Sequence, residues 1–355
     1  MAQSAWINSG VGITAGNWST PGNWSPAVIP GPSEIAIIRN GGEAKVTAGA
    51  VDLTRLEIAK NGGSGSVTSA GVPIGTSSRV DVGAIDELTS VAGAIVAANG
   101  TLSMSGPTTL KVGQGGAGDL DVGQTYAGSG SQGSGTGAVN INGLTLIEIQ
   151  NDLDLGEAGG AGTATSHGVA TIQNVGALNV HGSIDVGETG SLSGVNDAHG
   201  TFNVTSATSL TVAGDLDLGR TLGTGGHDTG SGSSTLVGVN AIHIGSDLNV
   251  GHAGVSNGGI AQSFGTLQLS NSNSLIIGSE LGVGHIRSSI GSGHAIATGM
   301  AAIADIGVIQ IADGLLVGRN FVEDNVIGAA SGTLTMERIG SVDVGGDFDV
   351  GQTGV

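Results

Sequence analysis

The sequence predicts an all-β protein whose chain winds into a parallel, right-handed β-helix, and three observations lead to this fold. A five-residue motif, D-L-D-V-G at 119–123, returns with starts at 152, 183, 215, 247, 280, 314 and 347. The starts lie 31–34 residues apart, a spacing typical of solenoid repeats. Between them, apolar and polar residues alternate over short runs punctuated by Gly and Ser, as in half-buried strands. No heptad or 3.6-residue period is visible.

The first 45 residues differ from the rest and are interpreted as an N-terminal capping segment, residues 1–45. They contain all three tryptophans, Trp6, Trp18 and Trp24, and four of the six prolines. A solenoid needs its first open edge covered, and large flat side chains with proline-stiffened loops suit that role. A carbohydrate platform built on Trp18 and Trp24 is the alternative.

The remaining chain divides into irregular first coils, residues 46–118, and regular repeats, residues 119–355. In the unit 183–214, Ile184 and Val186 form a first strand, a polar loop follows, and two further alternating runs complete the unit. Stacking each strand on its equivalent in the next coil, roughly 4.8 Å away, places all the apolar positions on one central column. We therefore expect about 8–10 coils with a long loop on one flank; an antiparallel β-sandwich is the alternative.

The flank loops change in chemistry along the chain. Segment 124–137 is rich in Gly and Ser and is predicted to be a flexible spacer. Segments 285–300 and 319–331 carry several large apolar residues, which we expect to bury against the rod or against a neighbouring subunit.

These features resemble the glycine-rich β-helix repeats of bacterial surface and secreted proteins, such as autotransporter passengers. The resemblance rests on the N-W-S…N-W-S-P run near the start and on units such as 200–219, and it covers nearly the whole chain. It implies an extracellular or cell-surface location. Such repeats serve adhesins, layer proteins and scaffolds alike, so the resemblance is specific for fold and not for function.

One polar position recurs inside the motif and is a candidate metal site. Asp121, Asp154, Asp185 and Asp217 occupy the same slot in successive coils, and a second acidic column begins two residues earlier at Asp119. Carboxylates about 5 Å apart repel unless they are solvated, protonated or bridged by a cation, and hard oxygen ligands suit Ca²⁺. An exposed, solvated acidic stripe and a calcium ladder both stay open.

The composition argues against some classes of binding partner. The net charge is −19 with 10 Lys+Arg, which disfavours nucleic acid and anionic membranes. Cysteine is absent, and no apolar run reaches the roughly 18 residues of a membrane span. The sequence shows no catalytic constellation such as a matched pair of carboxylates, so we expect no enzymatic activity. Loop histidines such as His167 and His199 are interpreted as incidental, with a transition-metal site as the alternative.

The end of the sequence suggests a role. A new coil starts at 347–351 and nothing resembling a cap follows, so its open parallel edge is expected to pair with another chain. We expect a structural subunit that assembles head-to-tail into a filament or surface layer, with Phe348 and Val350 at one end of the contact and the three tryptophans of the capping segment at the other. The alternative is the stalk or binding region of a larger adhesin, with a cell-surface glycan as partner.

Overall fold

The structure is a computed structural model of the chain and describes residues 2–7, 15–88, 95–191, 193–286, 292–322 and 325–354. Within these residues the protein is nearly all β, with 72% strand and no α-helix, and parallel coils stack into a β-solenoid of about ten turns. The predicted fold class is confirmed.

The described residues contain 35 strands and one 3-10 turn, Pro21–Asn23. The first strands are β1 (Ala2–Trp6), β2 (Ala15–Asn17), β3 (Trp24–Ser25), β4 (Glu34–Ile38), β5 (Asn40–Val46), β6 (Val51–Leu53), β7 (Arg55–Ile58), β8 (Gly63–Ala70), β9 (Ile74–Thr76), β10 (Val80–Val82), β11 (Ile85–Leu88) and β12 (Ile95–Ser105). They are followed by β13 (Thr109–Val112), β14 (Leu120–Val122), β15 (Thr125–Ala127), β16 (Gln132–Asn142), β17 (Leu146–Ile149), β18 (Leu153–Leu155), β19 (Ala158–Gly160), β20 (Thr163–Val180), β21 (Ile184–Val186), β22 (Thr189–Ser191), β23 (Val195–Val212) and β24 (Leu216–Thr224). The last are β25 (His227–Val237), β26 (Ala241–Ile244), β27 (Leu248–Ser256), β28 (Gly259–Ile277), β29 (Leu281–Ile286), β30 (Ser292–Ile311), β31 (Leu315–Val317), β32 (Asn320–Phe321), β33 (Asn325–Val344), β34 (Phe348–Val350) and β35 (Thr353–Gly354).

These strands form two long sheets, of 19 and 16 strands in the described part of the chain. The motif strands lie in the first sheet and pair in parallel from coil to coil, so that Leu120 lies beside Leu153 and Val122 beside Leu155. Both columns point into the core because successive residues of a strand face opposite sides. The second sheet contains the long strands, which we call the wall, from β8 through β12, β16, β20, β23, β25, β28 and β30 to β33.

Each wall strand has a sharp corner built on a left-handed residue, which follows the shorter strands and lies inside the longer ones, as Asn174 does in β20. Its positive φ angles recur at equivalent positions in nine coils: Gly71, Gly106, Gly143, Asn174, Ser206, Gly238, Asn271, Asp305 and Arg338. Gly, Asn and Asp adopt this conformation at least cost. Arg338 is unusual here, and its guanidinium donates to both carboxylate oxygens of Asp305, the equivalent residue one coil earlier, at 2.5 and 2.8 Å.

The two sheets touch backbone to backbone along a waist made of two glycine columns. The turn glycines end the motif strands with φ between +60° and +74°: Gly83, Gly123, Gly156, Gly187, Gly219, Gly251, Gly284, Gly318 and Gly351. The wall glycines face them and pair in register: Gly100, Gly137, Gly168, Gly200, Gly232, Gly265, Gly299 and Gly332. A Cβ on Gly168 would overlap the carbonyl oxygen of Val122 and the amide nitrogen of Gly156.

The waist divides every regular coil into a large and a small lobe. The large lobe holds the main core of Leu, Ile and Val. The small lobe is filled by small side chains, Ala127, Ala158, Ala164 and Ala198 in the middle coils, with a separate cluster around Val255 and Ile286 later. The glycine contact therefore creates two narrow cores instead of one wide core, which suits a chain with few aromatic residues.

Repeat length varies in one lobe and not in the other. From each wall glycine to the next turn glycine, the seven intervals from Gly137–Gly156 to Gly332–Gly351 are all 19 residues. The return path through the small lobe ranges from 12 residues, Gly156 to Gly168, to 15 residues, Gly284 to Gly299. The 31–34-residue spread of the motif thus arises in the small lobe.

This architecture corrects the prediction of long flank loops. Segment 124–137, predicted to be a flexible spacer, contains β15 and the first half of β16, and its alternate residues from Gly133 to Gly137 are buried. Within segments 285–300 and 319–331, strands β30, β32 and β33 occupy most of the described residues. Gly and Ser are used here because only small side chains fit the small lobe, a reason that composition alone does not reveal.

The three tryptophans form one buried cluster in the first coil. Trp24 packs edge-on against Trp6 and Trp18, with ring centroids 5.0 and 4.7 Å apart, and the Nε1–H of Trp24 donates to the carbonyl of Trp18. All three are at most 4% exposed. Of the three roles expected for them, this geometry suits a plug for the first coil, whereas burial leaves almost no tryptophan surface for a contact with another molecule or with a sugar.

We expect Gly168→Ala to destabilise the rod strongly, by roughly 3 kcal/mol or more, because its Cβ has no room at the waist. Gly190→Ala is the matched control, since a Cβ there meets no atom within 4 Å. Thermal unfolding followed by circular dichroism measures both variants. Equal melting temperatures for the two would show that the waist is not a close backbone contact.

Candidate functional site

A column of acidic residues runs along the first sheet, one residue before the end of each motif strand. In register, the column reads Glu57, Asp81, Asp121, Asp154, Asp185, Asp217 and Asn249. The four aspartates proposed from the sequence therefore do share one slot in successive coils. We call this set the carboxyl column.

The carboxyl column is largely enclosed, with Asp154 and Asp185 half-buried and the aspartates on either side of them buried, which argues against a fully solvated acidic stripe. Asp81 and Asp121 are fully buried and Asp217 is 1% exposed. The first sheet turns at each turn glycine, and the residue three positions after each aspartate then lies against the column. Thus Asp217 is 3.4 Å from Arg220, and Asp185 hydrogen bonds with Glu188.

Cations neutralise the first coils of the column. The guanidinium of Arg55 holds both oxygens of Asp81 at 2.6 and 3.0 Å, and the buried Lys60 lies 3.4 Å from the same carboxylate. Arg79 pairs with Asp121 in the next coil. Bidentate pairing of this kind is the strongest form of side-chain ion pair.

Arg220 plays the same part farther along the column. Its guanidinium contacts Glu188 at 3.3 Å as well as Asp217. One coil later the acidic residue is replaced by Asn249, whose amide donates to Asp217 at 2.7 Å. The column thus ends in a neutral hydrogen-bonding partner.

Between Arg79 and Arg220, the carboxyl groups of the column hydrogen bond with neighbouring carboxyl groups. Burial, followed by the charge of Glu157, raises the pKa of Asp154 well above its ordinary value, and burial with the Glu188 carboxylate does the same to the pKa of Asp185. The raised pKa values favour the protonated forms, and hydrogen bonds join Asp154 to Asp121 and Asp185 to Glu188. Tyr126 also donates to Glu157.

The second acidic column has a structural task. The carboxylate of Asp152 accepts the backbone N–H of Ser183 at 2.7 Å, Asp215 accepts that of Asp247 at 2.9 Å, and Asp247 accepts that of Glu280 at 3.0 Å. Each side chain thus fixes the start of the next coil's motif strand. This explains why the motif so often begins with Asp.

Calcium binding at Asp121, Asp154, Asp185 and Asp217 stays a prediction. Among the described residues, no group of three or more His, Asp or Glu side chains is arranged to hold a metal ion.

Seven of the eight histidines lie in strands, and His181 lies in a bend directly after β20. His167 and His199 face outward on adjacent wall strands with ring centroids 5.7 Å apart. His252 and His285 stack at 4.4 Å with ring planes 16° apart, and His285 is buried. The ring of His285 fills the space above Gly282, at the position where the carboxyl column would otherwise continue.

The last described coil exposes residues that are core residues elsewhere. Phe348 continues the column of Leu281 and Leu315, and Val350 continues that of Val283 and Val317. Yet Phe348 is 65% exposed and Val350 is 64% exposed. This end face therefore presents both an apolar surface and an unpaired parallel edge.

The sequence matches no protein-family model, no curated protein and no solved structure. The β-solenoid fold expected from the resemblance is confirmed, and a relationship to autotransporter passengers stays a hypothesis. No helix among the described residues is long and apolar enough to cross a membrane.

We expect the free energy of unfolding to fall as pH rises from about 4 to about 8. Burial raises the pKa of Asp121 to about 8 and the pKa of Asp217 and Glu188 to about 7. Over this range the folded protein holds protons that the unfolded chain releases, so raising the pH favours unfolding. Urea unfolding at several pH values measures the slope.

Asp217→Asn isolates one contribution to that slope. The amide resembles the protonated acid, and Asn249 already occupies the slot one coil later. Relative to the wild type, the variant gains roughly 1–3 kcal/mol between pH 5 and pH 8. Asp343→Asn, at an exposed position, is the control for losing one acidic side chain. A stability that rises with pH in the wild type would contradict the proton-holding column.

Proposed function

We propose that this protein is a non-enzymatic structural subunit, a rigid rod that joins other copies head-to-tail to form a filament or surface layer. The observation that carries the proposal is the end face, where Phe348 and Val350 continue the core columns and are exposed. Burying these side chains under another coil gains about 1.5–3 kcal/mol for each of them.

The body of the rod supports a mechanical role. Its coils are joined in register over about ten turns, and the side chains between them are dry columns of Leu, Ile and Val. At roughly 4.8 Å per coil, the rod is about 50 Å long. Such a stack transmits tension through backbone hydrogen bonds, without disulfides.

The opposite end limits how the contact forms. Because the tryptophans are buried, the partner surface is the edge of the first coil, β1 and β3, and not the tryptophan rings themselves. A head-to-tail contact between unlike surfaces propagates into a filament. We place this rod outside the cell, in line with its surface-protein resemblance.

A stalk in a larger adhesin is the second candidate. It is favoured by the same end face, because a further coil of the same polypeptide would cover Phe348 and Val350 as well as a second molecule would. In that case a cell-surface glycan is the partner we propose for the rod's sides.

Negative-stain electron microscopy of the 355-residue protein, with and without calcium, tests the proposal. We expect filaments much longer than the roughly 50 Å of one rod. Phe348→Asp places a charge on the end face and is expected to yield single rods. Val308→Asp, an exposed apolar residue on the side of the rod, is the matched control and leaves filaments intact.

Single rods of wild-type protein at every concentration, in both conditions, would contradict self-assembly and favour the stalk. Filaments that survive Phe348→Asp would show that the contact lies elsewhere. Equal loss of filaments in both variants would point to a nonspecific effect of charge and would also contradict the end-face contact.

A further inference from the structure

The outer side of the wall is a flat surface with very few charges. In nine successive strands, alternate residues of segments 64–70, 97–105, 132–142, 163–173, 195–205, 227–237, 260–270, 294–304 and 327–337 point outward, and we call this surface the wall face. Its outward side chains are mainly Thr, Ser, Asn, Gln and Ala. Asp197 and Glu337 are its charged residues, although the chain has 29 acidic residues and 10 basic ones.

Three large apolar side chains are exposed on the same face, on three adjacent strands. Phe264 is 41% exposed, Met300 53% and Ile327 63%. Phe264 lies beside Thr298, Met300 lies between Thr266 and Thr333, and Ile327 lies beside His294. Phe264 and Met300 are thus neighbours, one strand and two residues apart, whereas Ile327 lies four residues before the level of Phe264 along the strands. Large apolar side chains that protrude from an otherwise polar, uncharged sheet are typical of an interaction site.

Charge selects the partner. A chain of net charge −19 repels its own copies wherever carboxylates meet, and the wall face is a surface on which two copies approach with almost none. A basic or acidic protein gains no electrostatic attraction from an uncharged surface. With Phe264 as its exposed aromatic residue, the face also lacks the row of rings on which sugars stack. A surface of the same chemistry is the best match.

The available area is sufficient. Nine strands about 4.8 Å apart and about eleven residues long, at about 3.3 Å per residue, span roughly 1,500 Å². A standard interface uses about 800 Å² on each partner, so an overlap of about half the face is enough. Sheets that pack face to face lie about 10 Å apart with their side chains interdigitated. A shallow depression of about 220 Å³ beside Met300, lined by Thr266, Gln268, Thr333 and Thr335, offers room for a protruding side chain.

We propose that the wall face is a lateral self-association surface, on which a second copy of this chain packs sheet against sheet around Phe264 and Met300, with Ile327 farther along the same face. The same patch serves both copies, as in an isologous contact with two-fold symmetry. The contact does not involve the end face, so lateral pairing and head-to-tail growth can be tested independently of each other.

The test uses Phe348→Asp protein, in which end-to-end growth is blocked, and measures its mass by sedimentation equilibrium. We expect a monomer–dimer equilibrium that Met300→Lys weakens by roughly tenfold or more, as charge burial at the centre of an interface does. Val308→Lys, exposed on another face, leaves the dissociation constant unchanged. A protein that stays monomeric at millimolar concentration would overturn the proposal, as would equal effects of the two lysines.

Crosslinking gives a second readout that does not depend on the end face. The chain has no cysteine, so Met300→Cys introduces a single thiol. A short bis-maleimide is expected to join Met300→Cys molecules into dimers in the otherwise wild-type protein, and to give few dimers with Val308→Cys. Equal dimer yields from both positions would refute the wall-face contact. If filaments fail to form and Met300→Cys still crosslinks, the lateral contact stands and the head-to-tail proposal falls.

Discussion

The contact between the turn glycines and the wall glycines is the constraint on which the rest of this structure depends. It brings two sheets together with no side chain between them, and each coil is thereby pinched into two lobes. A pinched coil has a narrow interior that Leu, Val, Ala and Gly can fill without aromatic residues. It also turns the first sheet sharply, and that turn encloses the carboxyl column. Seventeen of the 69 glycines, nine turn glycines and eight wall glycines, form this contact.

The carboxyl column shows how a repeat handles its own repetition. A polar residue copied into every coil is stacked on itself, and an acidic residue then meets its own charge at each step. Arg55, Lys60 and Arg79 neutralise one end, and Arg220 neutralises the other. In between, burial raises the pKa of Asp154 and of Asp185, and hydrogen bonds join these acids to Asp121 and Glu188. Burial favours the protonated form, since removal from water costs an ionised carboxylate more free energy than it costs a neutral carboxylic acid.

Much of the fold could be predicted from the sequence, because the spacing of D-L-D-V-G defines the coil and its alternation defines the inward side. The register of Asp121, Asp154, Asp185 and Asp217 followed directly from that spacing. The small lobe was missed, because a strand such as Gln132–Asn142 is built of Gly, Ser and Thr and resembles a spacer. The sequence did contain one signal for the waist. Seven successive pairs of glycines, beginning with Gly137 and Gly156, are each 19 residues apart. Burial of the carboxyl column had no local signal, because it results from a turn that only the waist imposes.

The unequal lobes also bear on how such a protein can diversify. In the seven regular coils the 19-residue path is constant, whereas the irregular first coils use 23 residues between Gly100 and Gly123. The small lobe begins and ends at the waist. The length of its path differs between neighbouring coils, while the strand pairing on either side stays the same. Each coil therefore carries a side branch that is insulated from the main stack. New sequence accumulates there by drift or by grafting, at regular intervals along the rod, and leaves the scaffold as it was.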